Sequence, residues 1–312
     1  MIEKGFALVG KNPQFLKAVE TAKGLSQNNL PTLIQGEIGS GKKHLAQFIH
    51  LTSSRKESTF TVVDCSQEPK SVENQILGYR DPSGKFHRGV LETCNGGTIV
   101  FENVDALEEK FQKRLHTILT ELVDYDLDLR LMATTSKNLS KFAGAGRFNR
   151  ALYIFFSKHS INIPALRDRK EDLNEFCQYF AYTYCVMNNI ASVVIAEEAF
   201  EKLSEYYWTH NLKELKRVIE GAIQNARGGR IDIAAIKLGE KKAESSLNEN
   251  DDDGIRLMSL KEAEQLLIKK ALIHTSENRT QAAKILGVSI RTLRNKINEY
   301  RAGGSKYFVN LR

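Results

Sequence analysis

The chain lacks any run of 18 consecutive apolar residues, so no stretch of it is built to cross a bilayer as a helix. Its start, Met1-Ile2-Glu3-Lys4, lacks the charged-then-apolar order of a secretory signal, and a cytoplasmic location is the expectation. Cysteine is scarce. The four present, Cys65, Cys94, Cys177 and Cys185, form no Cys-x-x-Cys pair, which argues for buried reduced thiols over a metal or disulfide framework. No segment repeats another. What remains is the composition of an ordinary soluble globular protein, in a chain of 312 residues that is long enough for two or three domains.

Positive charge is present but unevenly spread. From Ile255 to Arg312 there are 12 Lys/Arg against 4 Asp/Glu, a surplus slightly larger than the whole chain's net +7. The rest is therefore close to neutral, and the basic segment points to a polyanionic partner.

Apolar patterning divides the chain. Thr32–Gln35, Phe60–Asp64, Thr98–Phe101 and Leu129–Thr135 read as strands, with helices between them at Lys42–Leu51 and through Phe111, Leu115, Ile118, Leu119 and Leu122. Strands alternating with helices predict an α/β fold, a parallel sheet covered on both faces. From Lys170 the pattern becomes helical, over Glu171–Met187, Glu197–Tyr207 and Leu212–Ala226. A polar, acidic stretch containing Asp251-Asp252-Asp253 reads as a flexible linker. The expected division is residues 1–169, an α/β nucleotide-binding part; 170–239, a helical lid; 240–254, the linker; and 255–312, a small helical domain.

Gly36-Glu37-Ile38-Gly39-Ser40-Gly41-Lys42-Lys43 has the spacing of a phosphate-binding loop between a strand and a helix. Glycines let backbone N–H groups approach phosphate oxygens. The helix N-terminus adds partial positive charge, and Lys42 is placed to reach the outer phosphates. The position that normally carries a magnesium-binding Ser or Thr hydroxyl holds Lys43. ATP or ADP is the expected nucleotide, and Lys43 leaves magnesium open.

This loop resembles the first motif of the AAA+ ATPases that activate sigma-54 RNA polymerase, the NtrC-like bacterial enhancer-binding family. Further blocks match in order. They are Val9-Gly10-Lys11-Asn12-Pro13, Gly96-Gly97-Thr98-Ile99-Val100-Phe101-Glu102-Asn103, Leu166-Arg167-Asp168-Arg169-Lys170-Glu171-Asp172 and Asn211-Leu212-Lys213-Glu214-Leu215. The resemblance covers nearly the whole chain, with no receiver domain expected before it. It implies an AAA+ fold with a helical lid, oligomerisation, and nucleotide contacts from Gly36, Glu37, Gly39, Ser40, Gly41, Lys42, Lys43 and Lys213.

The residues that would make this a motor depart from the family pattern. The family's Asp-Glu pair is Glu102-Asn103 here. Glu102 is the candidate magnesium residue, acting through water, but Asn103 cannot accept a proton. Loss of a general base costs about 10²–10⁴ in rate. The two arginines that the family sends across subunits fall on Asn149 and Phe155, and such arginines are worth roughly 10³–10⁵ in related phosphoryl transfer. Ser136 stands for a sensor Asn, and Lys213 for a sensor Arg. The Gly-Ala-Phe-Thr-Gly-Ala loop that contacts sigma-54 is absent from Gly78–Gly89.

In the basic segment, Gly287 and Ser289 separate two helical stretches as a left-handed turn and a cap. Ile290, Leu293, Ile297 and Tyr300 fall on one face, leaving Arg291, Thr292, Arg294, Asn295 and Lys296 outward, the pattern of a recognition helix. The segment resembles the Fis-type helix-turn-helix domain. That resemblance places Asn278, Thr280, Gln281, Ser289, Thr292 and Asn295 at DNA-contacting positions. Apolar residues from Leu260 to Leu272 exceed what one partner helix needs, and dimerisation through them is expected.

Together these features predict a sequence-specific DNA-binding transcriptional regulator. Its AAA+ part would bind ATP or ADP, hydrolyse it poorly and not activate sigma-54 polymerase. Double-stranded DNA, further copies of the chain and RNA polymerase are the expected partners. Two alternatives stand beside it: an active ATP-hydrolysing sigma-54 activator, and an inhibitory partner of an intact relative in mixed oligomers.

Overall fold

The computed structural model describes residues 2–3, 6–226, 229–239, 264–265, 267–269, 271–272, 275 and 278–302. Two compact units are distinguished, 1–240 and 241–312. The proposed linker over 240–254 lies outside the described residues, as do Leu260, Ala263 and Leu266.

The first unit is built on five parallel strands: β1 Thr32–Gln35, β2 Phe60–Asp64, β3 Thr98–Glu102, β4 Arg130–Thr135 and β5 Ser160–Asn162. Their order across the sheet is β2-β3-β4-β1-β5. Side chains alternate between two cores, as the two-residue period of a strand requires. Leu33, Ile99, Phe101, Leu131 and Ala133 join a core on one face, with Phe111, Leu115 and Phe156 from the helices covering it. Ile34, Val100, Met132 and Ile161 face the other core, against Val19, Leu45 and Ile49. Because both faces are covered, the central strands read as continuous apolar runs.

β5 was not expected from the sequence. It has three residues, of which only Ile161 is buried, so it leaves no periodic trace. Arg130 is the exception inside β4. It is fully buried, and its Nη2 and Nη1 donate to Leu25 O at 2.7 Å and Ser26 O at 3.3 Å, closing the C-terminal end of the Pro13–Ser26 helix. Burial pulls its pKa down to about 10, with a smaller push from Arg55. All four cysteines are buried and free.

The lid is helical, with Leu173–Met187, Glu197–Glu205 and Asn211–Asn225 packed around Trp208, Leu203, Leu215 and Ile219. In the second unit, Arg279–Leu286 and Ile290–Ala302 pack through Ala282, Ala283, Leu293, Ile297 and Tyr300 on Ile268, Ala271 and Leu272. Among the described residues no helix is long and apolar enough to cross a membrane.

Candidate functional site

The phosphate-binding loop leaves the C-terminal end of β1, where the parallel strands open onto a crevice. In the register Asp64 stands opposite Glu102, and Gln35 opposite Thr135, so the ends of four strands meet there. Gly39 has φ +76, and a Cβ built on it would lie 2.1 Å from His210 O. Glycine is required at this position for the loop to turn and for the lid to close on it.

The loop is tied to the lid by side chains from the matched blocks. Arg167 forms a forked pair with Glu37, with Nη1 donating to Oε2 at 2.7 Å and Nη2 to Oε1. Asn211, fully buried and left-handed at φ 51, donates from Nδ2 to Glu37 Oε2 at 3.2 Å and to Ile38 O at 3.0 Å. Its Oδ1 accepts from Leu166 N at 2.7 Å, and Leu212 N donates to Gly39 O at 3.0 Å. The Arg167 hydrogen bond outweighs burial and, with help from Asn211 and Lys42, holds the Glu37 carboxyl below its usual range.

Arg169 was not singled out from the sequence as a functional residue. It is fully buried, with its guanidinium between the rings of Phe15 and Phe176 at 4.8 and 5.2 Å, and Nη2 donates to Ser40 O at 2.9 Å. Ser40 Oγ, at a residue only 1% exposed, has no hydrogen-bond partner among the described residues. An unpaired buried hydroxyl in a phosphate-binding loop is a ready donor for an anion.

Lys42 is buried and folds back onto its own loop, donating to Gly36 O at 2.8 Å and Glu37 O at 2.9 Å. Burial lowers its pKa, partly offset by Glu102, Asp105 and Glu37. A cavity of about 720 Å³ opens beside it. Lys42, Lys43, Asp64, Glu102, Asn103 and Lys213 all line it, so the structure brings these together. Asn103, left-handed at φ 55, donates from Nδ2 to Asp64 Oδ1 at 3.1 Å. Ser136 lines a second cavity, beside Gly36 and Glu37.

Asn149 and Phe155, the positions where the sequence reading expects trans-acting arginines, make local contacts. Asn149 caps the Arg150–Ser157 helix, with Oδ1 accepting from Leu152 N at 2.9 Å. Phe155 packs on the sheet core, its ring 5.1 Å from Phe156 and 6.2 Å from His116. The segment where the sequence reading expects no sigma-54 loop forms a short antiparallel hairpin, Gly78–Arg80 with Phe86–Arg88. Asp81 closes its turn, accepting from Ser83 N at 2.9 Å and Lys85 N at 3.0 Å and pairing with His87 Nε2 at 3.0 Å.

Magnesium does not fit this lining in the usual way. Lys43 stands where a phosphate-binding loop ordinarily carries a hydroxyl ligand, so a metal here would have only the Asp64 and Glu102 carboxylates of the lining to hold its waters.

In the second unit, Asn278 Oδ1 accepts from Thr280 N and Gln281 N, Gly287 turns at φ 65, and Ser289 Oγ accepts from Thr292 N at 3.0 Å. Asn278, Thr280, Gln281, Ser289, Arg291, Thr292, Arg294 and Asn295 are all exposed. One expectation is corrected. Lys296 is half-buried, 3.0 Å from Glu264 Oε2, which also accepts from Tyr300 Oη at 2.8 Å. Ile290, at the start of the same helix, is 38% exposed.

Residues 9–166 match the sigma-54 interaction domain, 167–253 the AAA+ ATPase lid domain, and 259–300 the Fis family of bacterial regulatory proteins. The chain is 29% identical to the transcriptional regulatory protein FlbD of Caulobacter vibrioides, over 95% of this chain and 71% of that protein. It is 27% identical to the transcriptional regulatory protein ZraR of Escherichia coli K12, over 94% and 68%. The crystal structure of NtrX from Brucella abortus in complex with ADP superposes with a TM-score of 0.68 at 21% identity, covering 94% of this chain and 69% of that one.

Proposed function

The chain belongs to the family of sigma-54 interaction domain regulators with an AAA+ lid and a Fis-type DNA-binding domain, and on that premise we propose that it controls transcription by binding specific DNA sites, using nucleotide as a ligand and not as fuel. One observation carries the DNA-binding part. The Ile290–Ala302 helix buries Leu293, Ile297 and Tyr300 while exposing Arg291, Thr292, Arg294 and Asn295, which gives a groove-reading face on a fixed support. Genome-wide crosslinking in a host carrying the chain tests it. Enriched sites that vanish in an Arg291→Ala/Arg294→Ala variant are expected; no enriched sites would contradict it.

The ligand role of the nucleotide is supported by the NtrX structures solved with ADP and with ATP, and by the unpaired Ser40 hydroxyl in the loop. Poor hydrolysis is inferred from Asn103, Asn149 and Phe155, each of which makes a structural contact where the family pattern has a reacting group. The short Gly78–Arg88 hairpin supports the inference that sigma-54 polymerase is not driven. The exposed Leu267 beside buried Ile268 and Leu272 fits dimerisation of the second unit, and the AAA+ unit would supply any higher oligomer.

A second reading, an active ATPase, is favoured by one observation. The Asp64 carboxylate lines the cavity next to Asn103 and would be the base that Asn103 is not. In that case Asp64→Asn would abolish turnover, and the intact chain would show it.

A further inference from the structure

We propose that nucleotide binds this cavity without magnesium, the Lys43 ammonium standing beside the outer phosphates where the metal otherwise lies. The proposal rests on the nucleotide-site reading above and concerns the form of the ligand, a metal-free nucleoside di- or triphosphate.

Lys43 is the second residue of the Lys42–Leu51 helix, exposed, and lines the same cavity as Lys42. In phosphate-binding loops that position supplies a hydroxyl to the metal. Here it supplies a positive charge on a flexible stem, which attracts phosphate and repels a divalent cation.

Of the two lining carboxylates that would hold the metal's waters, Asp64 is held through one of its oxygens. Asp64 Oδ1 accepts from Ser66 N at 3.0 Å, Ser66 Oγ at 2.7 Å and Asn103 Nδ2 at 3.1 Å. Burial would raise the Asp64 pKa, but the Ser66 and Asn103 hydrogen bonds and the Lys43 charge hold it below its usual value. The carboxylate thus serves as a counter-charge to Lys43. The Glu102 charge favours the Lys42 ammonium without a direct ion pair among the described residues. In the lining, Lys42, Lys43, Lys213 and Lys216 outnumber Asp64 and Glu102. That excess supplies the neutralisation of phosphate charge that a metal provides in other sites.

The test is calorimetric titration of the full chain with ADP and with ATP, in excess EDTA and in millimolar magnesium. The two conditions are expected to give the same affinity within about threefold. Removing the charge in Lys43→Ala is expected to weaken metal-free binding about tenfold, the scale of one charge-assisted hydrogen bond. Lys43→Thr, which restores the hydroxyl, is expected to bind at least about tenfold tighter with magnesium than without it. Wild-type binding that is at least tenfold tighter in magnesium overturns the proposal. So does a Lys43→Thr variant with no metal preference. Absence of binding in both conditions overturns the nucleotide-site reading itself. Circular dichroism and thermal melting establish that the variants fold; if one does not, the wild-type comparison in EDTA and magnesium decides alone.

Discussion

Asn103 and Asp64 are joined at 3.1 Å across neighbouring strands, the Asn103 amide donating and the Asp64 carboxylate accepting. The amide cannot take a proton from water, and the carboxylate beside it is held ionised by donors from two directions. Replacing the amide by an acid sets two carboxylates within a few ångströms. Asn103→Asp is expected to lose about 1 kcal/mol at neutral pH through the lost hydrogen bond and the new repulsion. The loss should shrink on acidification, as one carboxyl takes up a proton. Urea unfolding at neutral and mildly acidic pH measures both.

The Glu37–Arg167 pair joins the phosphate-binding loop to the lid. The Glu37 carboxyl has a pKa below its unfolded value, chiefly through Arg167. Its contribution is therefore fully present above the ordinary carboxylate range and is lost as pH falls through the lower folded value. Glu37→Gln is expected to be less stable than wild type at neutral pH by about 1 kcal/mol, discounted for partial exposure. The difference should close in acid. Thermal melts from neutral pH down to below the carboxylate range check this. A shift of about 2–4 °C at neutral pH corresponds to 1 kcal/mol in a unit of this size.

Gly39→Ala places a methyl where His210 O stands 2.1 Å away, on a backbone with positive φ. The left-handed conformation alone costs about 1–2 kcal/mol for a residue with a Cβ. Separation of loop from lid adds to it. A loss of at least about 2 kcal/mol is expected, together with a weakened stabilisation by added nucleotide. Differential scanning fluorimetry with and without ADP reads both effects.

In the DNA-binding unit, Arg294 is exposed whereas Lys296 is tied to Glu264. Arg294→Ala is expected to weaken DNA binding and to lower the slope of log affinity against log salt by about 1. Lys296→Ala is expected to leave that slope nearly unchanged and to lower the melting temperature instead. Fluorescence anisotropy across a salt series, paired with thermal melting, separates the two.

Four of the five sheet strands were legible because burial on both faces leaves unbroken apolar runs such as Thr98–Phe101. The helix-turn-helix was legible because capping and turning are local: Asn278, Gly287 and Ser289 act on residues next to them. Long-range partnerships were not. Arg169 meets Ser40 from 129 positions away, and Arg130 meets Leu25 from 105. A charged residue whose partner is a distant backbone carbonyl carries no periodic or motif signal. Lys296 was misplaced outward for the same reason, its partner Glu264 lying 32 positions earlier. Phe155 read as a lost arginine; its packing on Phe156 and His116 became visible only in three dimensions.

Steady-state phosphate release by the purified full chain, with Lys42→Ala as the control, bears most directly on nucleotide as a ligand and not as fuel. The expected result is nucleotide binding by wild type with turnover at least about 10²-fold below 1 s⁻¹, the scale set by loss of a general base. Turnover near 1 s⁻¹ that Lys42→Ala abolishes would contradict it.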